Sequence, residues 1–277
     1  MMPDSVFAQE RISTARTFLF VPGDRPERFD KAVSSGADIV ILDLEDAVAP
    51  SAKQAAREAV GSWLSGGGRA LVRINSAATQ WFEEDLQLAN EHGLLGFMLP
   101  KAEAGAALTR VALMKPVIAL IESATGVATV QAIAGVEGVQ RLAFGTIDLA
   151  LDLGTSCDDV LAGIGIQLVV ASRASGIASP IDGVTVNFRE PGFTEDAARN
   201  ARKRGFGAKL CIHPAQLQPV RQAFLPTPEE LDWARRVVDA DRASNGAAAA
   251  VDGQMIDAPL VARARRTLAD AGAIGAV

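Results

Sequence analysis

A chain of 277 residues, 49% of them hydrophobic, is long enough for one large domain with a substantial core plus a short appendage. Its formal net charge of −6 argues against a basic nucleic-acid or anionic-membrane surface, and no apolar run approaches the roughly 18 residues that span a bilayer. Two cysteines, Cys157 and Cys211, make no disulfide framework, and the absence of tyrosine leaves His92 and His213 as the only aromatic acid–base groups, so the chemistry falls to carboxylates, arginines and a metal. The expectation is a cytoplasmic protein with reduced thiols and with neither a nucleic-acid nor a membrane partner.

Short β-rich runs alternate with longer helical patterns in chain order: Thr17–Val21, Asp38–Asp43, Ala70–Ile74, Gly96–Leu99, Val117–Ile121, Arg141–Phe144, Ile181–Val186 and Lys209–Ile212. Runs such as Ile39-Val40-Ile41-Leu42 and Val117-Ile118-Ala119-Leu120-Ile121 are unbroken and apolar, the pattern of parallel strands buried on both faces. Helical segments fill the gaps; one runs Ala52–Leu64, with Ser51 ahead of it and Gly66-Gly67-Gly68 behind. Eight β-then-α units predict an α/β fold, a (β/α)₈ TIM barrel. Helices from about Pro214 and from Pro228 to Ala243 follow the last strand. Ser244–Ala250 then reads as a flexible Gly/Ala-rich connection, and a helix from Pro259 to Asp270 ends the pattern. The predicted organisation is a catalytic barrel over residues 1–245 and a C-terminal helical arm or lid over 246–277.

In a parallel barrel the C-terminal strand ends share one rim, where active sites are built. Here those ends carry Pro22-Gly23-Asp24, Asp43-Leu44-Glu45-Asp46, Arg73-Ile74-Asn75, Pro100-Lys101, Glu122-Ser123, Asp148 beyond Gly145, and His213-Pro214. Buried carboxylates on several strands need compensating positive charge, which Arg73 and a divalent ion would supply. Magnesium suits an oxygen-only donor set; the His/Cys cluster expected of zinc is missing. Each residue also has a plain structural reading: strand-end carboxylates cap helices, Asp46 fits a turn, Arg73 fits an ion pair, His213 a structural hydrogen bond and His92 the surface.

At these residues the chain resembles the citrate lyase β-subunit-like branch of the HpcH/HpaI aldolase superfamily, which includes malyl-CoA and citramalyl-CoA lyases. The resemblance covers nearly the whole chain. It rests on Arg16-Thr-Phe-Leu-Phe-Val-Pro-Gly23, Ile41-Leu-Asp-Leu-Glu-Asp-Ala-Val48, Val72-Arg-Ile-Asn75, Met98-Leu-Pro-Lys101, Ile121-Glu-Ser123, Gly145-Thr-Ile-Asp-Leu149, Cys211-Ile-His-Pro-Ala-Gln216 and Gly253-Gln-Met-Ile-Asp-Ala-Pro259. It implies Glu122 and Asp148 as magnesium ligands, Arg73 at the reacting carbonyl or carboxylate, Glu45 and Asp46 as a carboxylate pair lining the site, and Arg16, Pro22 and Gly23 among the substrate contacts. It implies Asp257 as an acid/base delivered by the arm of an adjacent subunit, in a homotrimer or dimer of trimers. Two positions depart from the pattern: Ile147, where members commonly carry Glu, and Thr125, where they often carry Arg.

The implied activity is a magnesium-dependent carbon–carbon lyase. It would cleave a malyl-, citramalyl- or citryl-type acyl-CoA or acyl-carrier thioester into an acetyl thioester and a 2-oxo acid. Arg16, Arg25, Arg28 and Lys31 near the first strand suit a phosphate-bearing ligand. The rivals are a metal-dependent aldolase on free 2-oxo acid adducts, a citrate lyase β subunit fed by a carrier protein, and a non-catalytic barrel subunit of a larger complex.

Overall fold

The structure, a computed structural model, describes residues 4–243 and 249–272. Eight parallel strands close a barrel in sequential order: β1 (Thr17–Pro22), β2 (Ile39–Asp43), β3 (Ala70–Arg73), β4 (Leu94–Leu99), β5 (Val117–Ile121), β6 (Val139–Phe144), β7 (Ile181–Asp182) and β8 (Ala208–Cys211), with β8 returning to β1. The expected α/β barrel is the observed one.

Side chains on a strand alternate between faces. One set (Phe18, Ile39, Ile41, Leu71, Met98, Ile118, Leu120, Ala143, Ile181, Ala208 and Leu210) meets in a single buried cluster inside the barrel. Burying each large member contributes about 1.5–3 kcal/mol. The same alternation carried to the C-terminal ends turns Phe20, Asp43, Arg73, Glu122 and Gly145 inward, so the topmost layer of the interior is polar. Strand register aligns Pro22 with Asp43 and Asp43 with Arg73.

The N-terminal mouth is closed by the helix Asp4–Thr14, whose Ala8 and Ile12 join the interior cluster. Arg141 holds it there. This fully buried guanidinium lies under Phe18, 5.5 Å from the ring centroid, and donates to the carbonyls of Ile12, Ala15 and Ser179 at 3.1, 2.7 and 2.8 Å. Burial pushes its pKa down to about 9, with the nearby Arg16 charge adding to the effect.

Three local expectations change. β7 stops at Asp182 rather than Val186; beyond it the Thr185 carbonyl accepts from the Gln216 side chain at 2.8 Å. Ser51 does not cap the next helix: it sits inside a 3₁₀ turn, Pro50–Ala52, and the helix begins at Lys53 without a side-chain cap. Ala249–Val251 and Gln254–Ile256 pair as antiparallel strands β9 and β10, so the end of the expected flexible stretch is ordered, while 244–248 lie outside the described residues.

The chain divides into compact units at Arg221/Gln222, upstream of the expected 245/246 boundary. The helix Pro228–Ala243 explains the difference. It buries Ala234, Val237 and Val238 in a cluster with Ile256, Val261 and Ala264 of the hairpin and the last helix, Ala258–Gly272. No described helix is long and apolar enough to cross a membrane.

Candidate active site

The strand ends β2 and β3 build the first half of the site. Arg73 lies over the Phe20 ring at 4.8 Å and is forked onto Asp43, with Nε donating to Oδ1 at 2.7 Å and Nη2 to Oδ2 at 2.6 Å. Asp43, 1% exposed, also accepts the backbone amides of Glu45 at 2.9 Å and Ala47 at 3.2 Å, so one carboxylate fixes both the arginine and the loop after β2. The remaining nitrogen, Nη1, faces Glu45 Oε2 at 3.1 Å and Asp46 Oδ2 at 3.7 Å. Burial tends to lower the arginine's pKa, but Asp43, then Glu45 and Asp46, more than offset it, and Arg73 stays charged.

Behind that loop stands Lys53, first residue of its helix and buried. Its ammonium donates to the carbonyls of Leu44 and Glu45, both at 2.6 Å, and lies 5.2 Å from the Trp81 ring centroid. Burial lowers its pKa against the pull of the neighbouring carboxylates. Gly23 continues β1 so close to β2 that its amide donates to the Asp43 carbonyl at 2.8 Å; a Cβ there would stand 2.8 Å from that oxygen.

Strands β4, β5 and β6 build the second half. Glu122, buried at the end of β5, accepts the Lys101 amide on Oε1 at 2.8 Å. Its Oε2 faces Gly145, where a Cβ would come within 2.7 Å of that oxygen and 2.4 Å of the Glu122 Cβ. The position is open because the residue is glycine. Asp148 follows in the first turn of the helix Thr146–Asp152. Burial drives the Glu122 pKa up to about 7, the Lys101 amide opposes this, and the charge of Asp148 adds to it. Glu45 is pushed up to about 8, first by burial and then by Glu122 and Asp46, against the pull of Arg73 and Lys101. Its buried Oε2 has no hydrogen bond among the described residues, the 3.1 Å approach of Arg73 being an ion pair only.

Carboxylates whose burial penalises their charge, and whose charges raise one another's pKa, suit a bound cation. Glu122 and Asp148 offer hard oxygen donors, and two protein carboxylates are what magnesium commonly takes. No group of three or more His, Cys, Asp or Glu in metal-holding arrangement occurs among the described residues, so a bound ion would complete its shell from water and substrate.

Arg16, His213 and Asp257 each have hydrogen-bond partners of their own. Arg16 precedes β1 and therefore lies at the opposite mouth of the barrel, donating from Nη1 to the Gly207 carbonyl at 3.0 Å. Six strand residues at roughly 3.3 Å each separate it from the rim, so it is not among the residues that meet there. His213 stacks on Phe188 at 4.7 Å, and its Nδ1 accepts the Ala215 amide at 3.1 Å, a capping role. His92 is exposed. Asp257 belongs to the C-terminal unit, is exposed, and caps the last helix by accepting the Leu260 amide at 3.0 Å. The sequence places Asp43 and Lys101 at strand ends without giving either a role, and it does not mark Lys53. For Asp43 the signal was present, an acid ending an apolar strand directly before Glu45 and Asp46. The backbone of Lys101 (φ 47°) carried none.

Known proteins share this architecture and sequence. The family model for HpcH/HpaI aldolase/citrate lyase matches residues 16–214. A citrate lyase subunit beta-like protein of Mycobacterium tuberculosis (strain ATCC 25618 / H37Rv) is 38% identical over 263 residues, covering 92% of this chain and 95% of that protein. A (3S)-malyl-CoA thioesterase of Cereibacter sphaeroides (strain KD131 / KCTC 12085) is 34% identical, covering 94% and 96%. Among solved structures, M. tuberculosis CitE in complex with magnesium, acetoacetate and coenzyme A superimposes with a TM-score of 0.86 at 38% identity, over 94% of this chain and 99% of that one. The M. tuberculosis citrate lyase beta subunit complexed with oxaloacetate and magnesium gives 0.72 at 35%, over 78% and 100%.

Proposed function

This chain belongs to the HpcH/HpaI aldolase/citrate lyase family, and from that premise we propose that it is a magnesium-dependent lyase of a 3-hydroxyacyl thioester of the malyl, citramalyl or citryl type. The observation that carries the reading is the pairing on one rim of an oxygen donor set, Glu122 and Asp148, with a guanidinium locked by Asp43. The ligands named for the solved relatives, magnesium with oxaloacetate and magnesium with acetoacetate and coenzyme A, support it.

The reaction breaks the bond between the second and third carbons of the acyl chain. The hydroxyl proton leaves, the hydroxyl carbon becomes the carbonyl of a 2-oxo acid, and the bonding pair passes to the second carbon as a thioester enolate. Protonation of that carbon gives the acetyl thioester. A magnesium ion on Glu122 and Asp148 would lower the hydroxyl pKa and neutralise developing charge. The chain's own groups do the rest. Arg73 presents its Nη1 edge to the acid portion in a fixed orientation, Glu45 and Asp46 flank it, and the rim's apolar floor excludes water. Asp257, with a carboxyl on a separate unit, exchanges the proton as general acid/base. We assign this role to the arm of a neighbouring subunit in a trimer or dimer of trimers.

A second reading, hydrolysis of the thioester itself, draws on the thioesterase relative. One experiment separates the two: purified protein is incubated with malyl-, citramalyl- and citryl-CoA, with and without magnesium. A 2-oxo acid together with acetyl-CoA reports carbon–carbon cleavage. Free CoA with the intact hydroxy acid reports hydrolysis. No magnesium-dependent turnover of any of the three would remove both readings.

A further inference from the structure

Lys101 lies in the turn two residues beyond β4, in a left-handed conformation, φ 47°, one of two non-glycine residues with positive φ among the described residues. Such a conformation costs a non-glycine residue about 1–3 kcal/mol. It aims the backbone amide at Glu122 Oε1, 2.8 Å away, while the side chain of the same residue brings Nζ to 3.6 Å from Glu45 Oε1. One residue thus spans the two carboxylate sets.

The charges around it define what is missing. Fully ionised, Asp43, Glu45, Asp46, Glu122 and Asp148 are five negative charges facing Arg73, Lys101 and the buried Lys53. A divalent ion would only bring these charges into balance, with no surplus of positive charge for an anionic substrate. A cation with uncommitted N–H groups would supply a further contact to its carboxylate. Arg73 has Nε and Nη2 taken by Asp43 and is 12% exposed. Lys101 is 49% exposed, and its Nζ makes no hydrogen bond among the described residues, the 3.6 Å approach to Glu45 being a charge contact only.

We infer that the Lys101 ammonium is a substrate-binding group, the cation that receives the carboxylate of the hydroxy acid and of the 2-oxo acid formed from it. The inference rests on the lyase reading and adds to it a contact that Arg73, held by Asp43, does not supply alone. The ammonium also keeps the Glu45 and Glu122 carboxylates compatible while no anion is bound, and a lysine's flexible stem lets it turn from one to the other.

The test uses glyoxylate, pyruvate and oxaloacetate as probes, titrated calorimetrically into the magnesium-loaded full chain. Lys101→Met should weaken 2-oxo acid binding by about 10-fold or more, the usual loss for a charge-assisted hydrogen bond, and Lys101→Arg should restore part of it. The backbone amide that holds Glu122 survives both substitutions. Manganese affinity, read by electron paramagnetic resonance without any organic ligand, should therefore be undiminished in Lys101→Met, and the melting temperature close to that of the parent. An affinity for 2-oxo acids within twofold of the parent would overturn the inference and leave the lyase reading standing. Weakened manganese binding with a lowered melting temperature would overturn it in favour of a structural role. If the unsubstituted protein binds none of the three in the presence of magnesium, the lyase reading fails and this inference fails with it.

Discussion

The guanidinium of Arg73 and the carboxylate of Asp43 meet in a two-point fork, 2.7 and 2.6 Å, at the inner rim of the barrel. The pair is buried, so removing one partner strands the other. Arg73→Ala should therefore lower both turnover and melting temperature, because a buried charge left without its counter-ion typically costs about 3–5 kcal/mol. Arg73→Lys keeps the charge but loses the planar fork. Turnover in that variant should fall by about 10²-fold with a small change in melting temperature. Asp43→Asn should cost a similar factor in the parent and almost nothing further in the Arg73→Lys background, since groups acting as one unit are not additive. Additive losses in the cycle would show that Asp43 acts independently of the arginine.

Metal binding should depend on three residues. Glu122→Gln and Asp148→Asn each remove an ionised donor, and each should weaken manganese or magnesium binding, measured by titration calorimetry, by well over 10-fold. Gly145→Ala places a methyl group 2.7 Å from Glu122 Oε2 and 2.4 Å from its Cβ. The carboxylate must move, and binding should weaken by about 10–100-fold, as displacement of a supporting contact does. Unchanged affinity in Gly145→Ala would mean that Oε2 is not a ligand.

Much of this arrangement is legible in the sequence because buried parallel strands are unbroken apolar runs and their ends are polar. Eight runs in order, with acids after the second, fifth and sixth and arginine ending the third, place Glu45, Arg73, Glu122 and Asp148 on one rim from the order of elements alone. Arg16 shows the limit of such reading. It adjoins Thr17–Gly23 in sequence, yet a strand has two ends, and an arginine ahead of β1 lies a full strand length from the rim. The left-handed turn at Lys101 is set by its surroundings, and nothing in Met98-Leu-Pro-Lys101 announces it. The unit boundary is similar: a Gly/Ala-rich stretch marks a composition break near 245, whereas burial of the helix Pro228–Ala243 against the hairpin and the last helix makes it part of the C-terminal unit.

The two thiols should differ sharply. Cys157 is exposed, whereas Cys211 is buried at the end of β8, and burial pushes its pKa up to about 12 against the pull of Lys209. A thiolate-directed reagent at pH 8 should modify one cysteine in the native protein and two in denaturant, with peptide mapping assigning the native label to Cys157. Rapid native labelling of Cys211 would show that the layer outside β8 opens.

Asp38 ties the N-terminal mouth together and should make stability acid-sensitive. Burial raises its pKa, but bonds from the Arg221 guanidinium, the Arg16 and Thr17 amides and the Thr17 hydroxyl outweigh that and lower it overall. A carboxyl with a depressed folded-state pKa contributes stability that is present above its unfolded value and lost as the pH falls through the folded one. At neutral pH Asp38→Asn should destabilise by roughly 1–3 kcal/mol, and the gap should close below about pH 4, near the ordinary carboxylate range. Denaturant melts at pH 7, 4 and 3 would show it; a pH-independent gap would mean that the ionised form is not favoured by folding.

Asp257 should act on a neighbouring subunit, and the cap it forms decides how to ask. Its Oδ1 accepts the Leu260 amide at the start of the last helix, so Asp257→Ala would remove a cap as well as an acid, at a cost of about 0.5–2 kcal/mol. Asp257→Asn keeps an acceptor at that point and removes only the ionisable group. It should reduce lyase turnover severely with little change in melting temperature. Mixing it with a separately inactive Glu122→Gln protein should then restore part of the activity, because some interfaces pair an intact acid with an intact metal site, as the symmetry of a closed oligomer allows. Native mass spectrometry establishes that subunits have exchanged. With exchange shown and no activity regained, the carboxyl serves its own barrel or takes no part in the chemistry, and Asp257→Asn alone distinguishes these: a severe loss of turnover at an unchanged melting temperature marks an acid acting in its own barrel, and turnover close to that of the parent marks a carboxyl with no part in the chemistry.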